Sequence, residues 1–291
     1  MPTAKNRSSD PLGSAVHRIV DLALDEDLSH GDITTESVID PDQTSTGYFV
    51  AKQDGIIAGL PVAKLVFEKV DERIELKRLV RDGDRVKVGQ KIADVKGPSV
   101  SLLKAERTAL NFLQRMSDIA TETSKYVAAA AGTKARLLDT RKTMPGHRAL
   151  DKYAVRMGGG YNHRYNLGDG VLLKDNHIAA IQRREQTLAD AIIAMKKRLP
   201  HLLKIEVEVT SREQAKEALA AGAEAILLDN MPPELMSKIV KDINGRVPLE
   251  ASGGITLANI RAVAETGVDM ISVGALTHSV KGLDISLELI D

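Results

Sequence analysis

The stretch IEVEVTSREQAKEALAAGAEAILLD, residues 205–229, carries the pattern that decides the fold class. Residues 205–209 and 225–229 have the length and aliphatic content of buried strands, and residues 211–221 have the apolar spacing of an amphipathic helix. A strand, a helix and a further strand in this order pack with the two strands parallel. The stretch therefore predicts a parallel sheet covered by helices.

The same alternation extends in both directions from this stretch. Candidate strands lie at residues 135–140, 171–174, 205–209, 225–229, 249–252 and 270–274. At or next to the ends of the last four strands stand Glu208, Asp229, Ser252 and Gly274, which are 21, 23 and 22 residues apart, a spacing that suits strand–helix units of a barrel joined by short loops. Because six strands fall short of the eight in a closed barrel, we predict an incomplete, open α/β barrel.

The part of the chain before the barrel has a different pattern. Residues 48–100 contain short β-prone runs broken by glycine-containing turns, which predicts a small sheet domain, and residues 104–131 have helical periodicity. Residues 1–13 lack apolar periodicity and are interpreted as a tail. Residues 82–90 resemble the hammerhead turn of lipoyl and biotinyl carrier domains, but no lysine follows in the carrier context, so a carrier function is disfavoured.

Composition limits the possible functions. Lys+Arg and Asp+Glu both number 40 in 291 residues, so the chain has no net field to attract nucleic acid or an anionic membrane, and 3% aromatic residues are too few for base stacking. The absence of cysteine excludes disulfides, thiolate ligands and cysteine nucleophiles. A polar start and the lack of an apolar run of roughly 20 residues predict a cytoplasmic protein without a membrane partner.

Polar residues or glycines stand at nearly every predicted strand end. They are Arg141, Lys142, Lys174, Glu208, Asp229, Ser252 and Gly274. In a parallel barrel these ends share one face, where active sites lie, so the sequence predicts one site there. Taken singly, a charged residue at a strand end is more often a solvated loop residue, and Glu208 has the alternative of a salt bridge to a neighbouring strand end.

Residues 136–177 have a local excess of positive charge. They contain eight Lys or Arg against four Asp in a chain of zero net charge, which predicts a local anionic partner. Arg141 and Arg164 lie beside flexible backbone and are our preferred candidates for a bidentate grip on carboxylate or phosphate. Three other cations recur at helical spacing and are assigned mainly to a solvated or inter-subunit helix face: Arg148, Lys152 and Arg156.

Two glycine-containing loops follow the last two predicted strands. Residues 252–255 (SGGI) lie between a strand and a helix, so their N–H groups and the helix N-terminus are suited to a phosphate, and residues 272–275 (SVGA) end the next strand. Neighbouring loops of this kind match the phosphate site of many barrels. Glu208 and Asp229 beside a phosphate site favour Mg²⁺, which combines few carboxylates with water and phosphate oxygens.

Ordered segments along nearly the whole chain resemble the quinolinate phosphoribosyltransferase family. They include GDITT at residues 31–35 and ERTALN at 106–111, and continue at 139–145, 152–164, 174–177, 206–209, 227–230, 250–256 and 271–279. Asp118 and His147 depart from the usual pattern. The resemblance implies an N-terminal α/β sandwich at 14–118, an open barrel of six to seven parallel strands at 119–275, and C-terminal residues 276–291 that return to the first domain. It also implies a homodimer, or a hexamer built of dimers, with active sites shared between chains.

The resemblance also implies residue roles. The substrate-binding set is Arg107, Thr140, Arg141, Lys142, His163, Arg164, Lys174, Glu208, Asp229, Ser252, Gly253, Gly254, Val273, Gly274 and Ala275. Arg107 would act in the partner chain's site, and Arg141, His163, Arg164 and Lys174 would hold two carboxylates. The loops at 252–254 and 273–275 would take the 5′-phosphate. The catalytic residues would be Lys142, Glu208 and Asp229, and the last two would also serve Mg²⁺, through water, and the ribose.

The implied reaction joins quinolinate and phosphoribosyl pyrophosphate to give nicotinate mononucleotide, pyrophosphate and CO₂ in de novo NAD biosynthesis. One alternative is a transport-associated paralogue of the same fold that uses another aromatic acid. A sugar-phosphate isomerase on a barrel is a second alternative, but it leaves the basic cluster around Arg141 and Arg164 unexplained.

Overall fold

The structure is a computed structural model that describes residues 13–290. Its described residues form two compact units, one of residues 13–122, 143–159 and 279–290 and the other of residues 123–142 and 160–278. This division differs from the predicted one chiefly at residues 143–159, which group with the first unit. Of the expected tail, only Gly13 is described, as the first residue of a helix, and the rest lies outside the described residues.

The first unit is built on a four-stranded antiparallel sheet. Its elements in chain order are α1 (Gly13–Leu28), α2 (Ile33–Val38), β1 (Thr44–Ala51), β2 (Gly55–Ile56), α3 (Leu60–Val70), β3 (Glu75–Arg78), β4 (Arg85–Val86), β5 (Lys91–Pro98), α4 (Ser99–Ala129, whose last turns belong to the second unit), α5 (Arg148–Met157) and β12 (Ile285–Ile290). The strand order is β12-β1-β5-β3, and β2 pairs with β4 in a separate ribbon. Phe49 of β1 packs edge-on against Phe67 of α3, with ring centroids 6.0 Å apart. One face of the sheet is therefore covered by helix.

The hammerhead-like segment has a structural role in this unit. Asp82 accepts hydrogen bonds from the peptide N–H groups of Gly59 at 2.7 Å and Leu60 at 3.1 Å, where α3 begins. It also accepts one from the Tyr153 hydroxyl at 2.8 Å. Because Gly59 has no side chain to cap α3, Asp82 satisfies N–H groups that the helix itself leaves unpaired.

The predicted solvent exposure of α5 is wrong at Lys152. Lys152 is buried, with 3% of its surface exposed, whereas Arg156 is exposed and Arg148 is half-buried. Asp151 beside it is fully buried and forms a bidentate pair with Arg115 of α4. Helical spacing alone does not distinguish a solvated cation from a buried one.

The second unit is a parallel sheet with helices between its strands. Its elements are β6 (Arg136–Leu138), β7 (Val171–Leu173), α6 (Asp175–Gln182), α7 (Leu188–Lys196), β8 (Ile205–Val209), α8 (Arg212–Ala220), β9 (Ala225–Asp229), α9 (Pro233–Ile243), β10 (Leu249–Ser252), α10 (Ile260–Glu265), β11 (Met270–Ser272) and α11 (Ala275–His278). The strand order is β6-β11-β10-β9-β8-β7, and every pairing is parallel. Beyond β6, Leu138 makes an isolated parallel bridge with Tyr161. The predicted fold class, a mixed α/β chain with six parallel strands, is confirmed.

The sheet of the second unit is open and curved. Its two edges are β7 and the bridge at Tyr161, which follow one another along the chain. Arg164 spans the space between these edges, because its Nη1 donates to the carbonyl of Gly170 at 3.1 Å. His163 on the same loop lies 3.6 Å from carboxylates of both β8 and β10, so the sheet curls around the loop.

Among residues 13–290, none of the helices combines the length and the hydrophobicity needed to span a membrane.

Candidate functional site

A cavity of about 690 Å³ lies at the carboxyl ends of the parallel strands, and we call it the strand-end cavity. The predicted site residues that line it are Thr140, Arg141, Lys142, His163, Arg164, Lys174, Glu208, Asp229, Ser252, Gly253, Gly254, Val273, Gly274 and Ala275. Residues far apart in the sequence thus surround one space, as the parallel topology requires.

Buried Asp139 fixes the loop that brings two of these residues into the cavity. Its carboxylate accepts hydrogen bonds from Asn162 Nδ2 at 2.6 Å and from the peptide N–H of His163 at 2.8 Å. Its own peptide N–H donates to the carbonyl of Tyr161 at 3.1 Å. These bonds fasten residues 161–163 to the end of β6, so His163 and Arg164 enter the cavity from a fixed backbone.

Two guanidinium groups in the cavity lie close enough to affect each other. Burial lowers the pKa of Arg164 from its ordinary value, and the positive charge of Arg141 lowers it further. Arg141 Nε is buried and has no hydrogen-bond partner among residues 13–290. A buried donor without a partner, beside a second cation, is an arrangement that an anionic ligand satisfies.

Lys142 is held by its backbone and leaves its side chain exposed. Its peptide N–H donates to Thr140 Oγ1 at 3.0 Å, and its carbonyl accepts from Thr277 Oγ1 at 2.8 Å. A Cβ at Gly274 would lie 3.0 Å from Lys142 Cδ, so the stem of the lysine passes close over this glycine. The ammonium group is thus carried on an anchored loop between the ends of β6 and β11.

The two predicted metal ligands each have one engaged oxygen. Glu208 Oε2 accepts from Lys174 Nζ at 2.8 Å, which is the salt bridge between strand ends considered as the alternative for Glu208. Asp229 Oδ2 accepts from Asn230 Nδ2 at 2.9 Å. Two partly engaged carboxylates on adjacent strands are a donor set that suits Mg²⁺, which takes most of its ligands from water and phosphate.

The glycine loop after β10 has a backbone that other residues adopt only with strain. Gly253 has φ +86° and Gly254 has φ +63°, and a Cβ at Gly253 would lie 2.3 Å from Asn230 Oδ1. The helix α10 begins only at Ile260 and not, as the sequence led us to expect, directly after the loop, so the loop is separated from the helix N-terminus. Any phosphate at this loop would therefore meet the backbone N–H groups of the loop and not the N-terminus of α10.

Three ionisable side chains meet where His163 and Glu250 line the strand-end cavity, and the third, Glu206, lies beyond its lining. His163 Nε2 lies 3.6 Å from Glu206 Oε2 and 3.6 Å from Glu250 Oε2. Burial, reinforced by Glu206, raises the pKa of Glu250 to about 7. Burial acts to lower the pKa of His163, but the two carboxylates outweigh it and the pKa is raised. The possible ligand atoms of these three residues lie within 4.8 Å of one another, close enough to surround a metal ion. Neither Glu208 nor Asp229, the predicted metal ligands, belongs to this group.

The sequence contained a signal for Glu206 and Glu250 that the prediction of site residues did not use. Side chains two apart on a strand point to the same face, so Glu206 shares a face with Glu208, and Glu250 shares one with Ser252. The prediction took residues at or next to the strand ends, and so the carboxylates two positions earlier were left out. Asn230 and His278, which also line the cavity, had no comparable periodic signal.

One predicted site residue lies in the first unit. Arg107 is exposed on α4, and its expected contribution to the site of a neighbouring chain stays a prediction.

Comparison with known proteins gives consistent matches over most of the chain. The family model described as quinolinate phosphoribosyl transferase, N-terminal domain, matches residues 32–117, and the C-terminal domain model of the same family matches residues 119–288. The nicotinate-nucleotide pyrophosphorylase (carboxylating) of Mycobacterium leprae is 47% identical over 288 residues, covering 97% of this chain and 99% of the relative. A probable enzyme of the same name from Bacillus subtilis is 44% identical over 91% of this chain and 90% of its own length. Among solved structures, the nicotinate-nucleotide pyrophosphorylase from Francisella tularensis aligns with a TM-score of 0.90 at 40% identity, covering 99% of this chain and 100% of that one.

Proposed function

Because the chain belongs to the quinolinate phosphoribosyl transferase family, we propose that it joins quinolinate to the phosphoribosyl group of phosphoribosyl pyrophosphate. The products are nicotinate mononucleotide, pyrophosphate and CO₂, and the reaction serves NAD biosynthesis. Matched relatives carry the name nicotinate-nucleotide pyrophosphorylase (carboxylating), which describes this reaction.

The observation that carries the proposal is the pair of guanidinium groups in the strand-end cavity. Arg141 has a buried Nε without a partner among residues 13–290, and Arg164 lies close enough for the two charges to interact. Quinolinate has two adjacent ring carboxylates, and arginine forks bind carboxylates with two parallel hydrogen bonds. Lys174 completes the carboxylate-binding set, and His163 lines the same cavity beside Arg164.

The phosphoribosyl group fits the opposite side of the same cavity. The loops at residues 252–254 and 273–275 offer backbone N–H groups to the 5′-phosphate without bulky side chains in the way. Glu208 and Asp229 bind the ribose hydroxyls. This arrangement puts the anomeric carbon between the sugar loops and the cations.

Magnesium is part of the proposal. Glu208 and Asp229 would hold Mg²⁺ through water, and the ion would supply positive charge to the pyrophosphate group. The engaged oxygen of each carboxylate leaves the other for water or a hydroxyl group.

The residues of the chain then promote each bond change. The ammonium group of Lys142 stabilises the negative charge that develops as the bond between the anomeric carbon and pyrophosphate breaks. Arg141 and Arg164 orient the pyridine so that its nitrogen forms the new bond to that carbon. The pyridinium charge then stabilises the carbanion left when the adjacent carboxylate departs as CO₂, and one proton completes the product. The substrate itself accepts the electron pair, so the chemistry requires no further cofactor.

Assembly and location belong to the same proposal. Arg107 contributes to quinolinate binding in the site of a partner chain, within a homodimer or a larger assembly of dimers. The cytoplasm is the compartment that we assign to the enzyme.

The proposal is tested by CO₂ release from carboxyl-labelled quinolinate. We expect release that requires phosphoribosyl pyrophosphate, that stops when EDTA removes Mg²⁺ and that resumes when Mg²⁺ is restored. Release without phosphoribosyl pyrophosphate, or no release from a folded protein with both substrates and Mg²⁺, would contradict the proposed reaction. Release unaffected by EDTA would contradict the magnesium requirement alone.

A further inference from the structure

Two cavities at opposite ends of the parallel sheet share the residues His163, Arg164 and Glu250. The strand-end cavity is one of them. The other, which we call the amino-end cavity, has a volume of about 730 Å³ and is lined by residues where the strands begin, such as Arg136 of β6 and Met270 of β11. The shared residues therefore form the boundary between the proposed substrate site and a second open space.

The hydrogen bonds of His163 determine which ring nitrogen carries the proton. Its Nδ1 accepts the peptide N–H of Arg164 at 2.8 Å, so this nitrogen presents a lone pair. The proton of the neutral ring is therefore on Nε2, which faces Glu206 and Glu250 at 3.6 Å each. The imidazole thus connects the Arg164 peptide on one side with two carboxylates on the other.

Glu250 is the more deeply buried of the two carboxylates. It is 1% exposed, and its Oε1 has no hydrogen-bond partner among residues 13–290. A buried carboxylate is costly unless a neighbour donates to it or it binds a proton, and the Nε2–H of His163, 3.6 Å away, faces it. His163 and Glu250 both line the amino-end cavity, and the carboxylates that face the ring hold the imidazole in position.

We propose that Glu250 is a positioning residue for substrate binding. By holding the Nε2–H side of His163, it fixes the imidazole and the Arg164 peptide that donates to it, and so places the Arg164 guanidinium group that receives a ring carboxylate of the substrate. Glu250 itself is assigned no contact with the substrate. The substrate part of this inference rests on the proposed function, whereas the contact between Glu250 and His163 does not.

The contact is tested by NMR of the free protein with ¹⁵N-labelled histidine. The His163 signals are identified by their absence in His163→Gln. The charged groups that face this residue are Glu206 on β8, Glu250 on β10, Asp139 at the end of β6, which binds its peptide N–H, and Arg164 beside it. In the wild-type protein we expect the Nε2–H tautomer and a titration above the ordinary histidine value, and in Glu250→Gln a pKa lower by about one unit.

The substrate role is tested by the kinetics of the same isosteric variant. We expect Glu250→Gln to raise KM for quinolinate about tenfold, because a tenfold change in binding has the same free energy as a change of one pKa unit. KM for phosphoribosyl pyrophosphate should stay within about twofold of the wild-type value. Glu234→Gln, an exposed glutamate on α9, is the matched control and should change neither value.

The possible outcomes separate the two claims. A wild-type His163 that is the Nδ1–H tautomer, or that titrates identically in Glu250→Gln, overturns the positioning role without any variant activity being needed. An equal change of KM for both substrates also overturns it. If the wild-type protein makes no product while the NMR result is as expected, the proposed function fails and the contact stands.

Discussion

At the scale of single residues, the proposed mechanism assigns substrate binding to two cations of the strand-end cavity and stabilisation of the departing pyrophosphate to a third. Arg141 and Arg164 have planar donors that match carboxylates, whereas Lys142 presents a point charge on an anchored loop. Binding a substrate and its transition state equally tightly affects KM, and only interactions that strengthen in the transition state raise kcat. Substitutions of these cations should therefore have different kinetic effects.

Lys142→Ala is expected to lower kcat by roughly 10²–10³-fold while changing KM for either substrate much less, because its charge matters most when pyrophosphate departs. Steady-state kinetics with each substrate varied in turn measures the effect. Lys238→Ala, an exposed lysine on α9, serves as the control. A raised KM with unchanged kcat would assign Lys142 to ground-state binding and contradict the prediction.

Gly253→Ala is expected to raise KM for phosphoribosyl pyrophosphate by about an order of magnitude, since the added Cβ would displace the loop or Asn230. Gly245→Ala is the matched control, because Gly245 also has a positive φ, +70°, but has nothing within 4 Å of an added Cβ. Both variants should lose a little thermal stability from backbone strain, and only Gly253→Ala should change KM. An unchanged KM in Gly253→Ala would remove this loop from the phosphate site.

At this scale, a residue's position could be predicted where it depends on neighbours in the sequence, and could not where it depends on residues far away in the sequence. Glu206 was predictable in principle, because alternation along β8 gives its face. The partner of Asp139 was not, because the loop that supplies Asn162 returns from more than twenty residues away. The burial of Lys152 was hidden for the same reason, since covering elements are set by tertiary packing.

At the scale of elements, the buried pair between α4 and α5 should matter more than an exposed pair of equal geometry. Arg115 donates to Asp151 through Nε at 3.1 Å and Nη2 at 2.9 Å, and Asp151 is fully buried. Burial raises the pKa of Asp151 and the arginine opposes this rise. Loss of the arginine leaves a buried carboxylate without its compensating charge.

Arg115→Leu is therefore expected to lower the free energy of unfolding by about 3–5 kcal/mol, as measured by urea denaturation. The control is Arg212→Leu, which breaks the bidentate but more exposed pair with Asp242 and should cost about 1 kcal/mol or less. Equal losses in the two variants would show that burial does not decide the strength of these pairs.

Strands were easier to predict than the loops that follow them. Three strands, Ile205–Val209, Ala225–Asp229 and Leu249–Ser252, begin and end at the predicted residues, because their aliphatic runs are bounded by polar or turn residues. β6 and β11 are shorter than predicted, since polar and glycine residues at their ends form loops. The start of α10 at Ile260, and not directly after the glycine loop, was not predictable from the apolar spacing. The turn at residues 256–259 continues the same apolar spacing as the helix that follows it.

At the scale of the whole molecule, Glu250 should make stability depend on pH. Its folded pKa of about 7 lies above its ordinary value of 4.5, so the folded state binds more protons than the unfolded state between these values. The stabilisation is fully present below pH 4.5 and is lost as the pH rises to and through about 7. We expect a loss on the order of 1–3 kcal/mol between pH 5 and pH 8, and a smaller one in Glu250→Gln. Denaturation curves at several pH values measure both, and identical slopes would contradict the prediction.

Shared active sites should be detectable by mixing two inactive chains. In a heterodimer of Arg107→Ala with Lys142→Ala, one site receives both substitutions and the other receives none. Because half of randomly formed dimers are mixed and each has one intact site, about a quarter of wild-type activity should return. Mixed dimers verified by differential tags that remain inactive would contradict the assignment of Arg107 to a partner's site.

The antiparallel sheet of the first unit has a consequence for synthesis of the chain on the ribosome. β12 pairs with β1 over the register from Thr46–Ile290 to Ala51–Ile285. The pairing of β1, which is translated early, therefore cannot be completed until β12 has been translated. A Cβ at Gly47 would lie 2.6 Å from the Glu288 carbonyl oxygen, so β12 packs very close to β1 at this glycine. All residues of the parallel-sheet unit are translated before β12. The nascent chain can therefore complete the parallel-sheet unit first, while β1 keeps an unpaired edge until β12 has been translated.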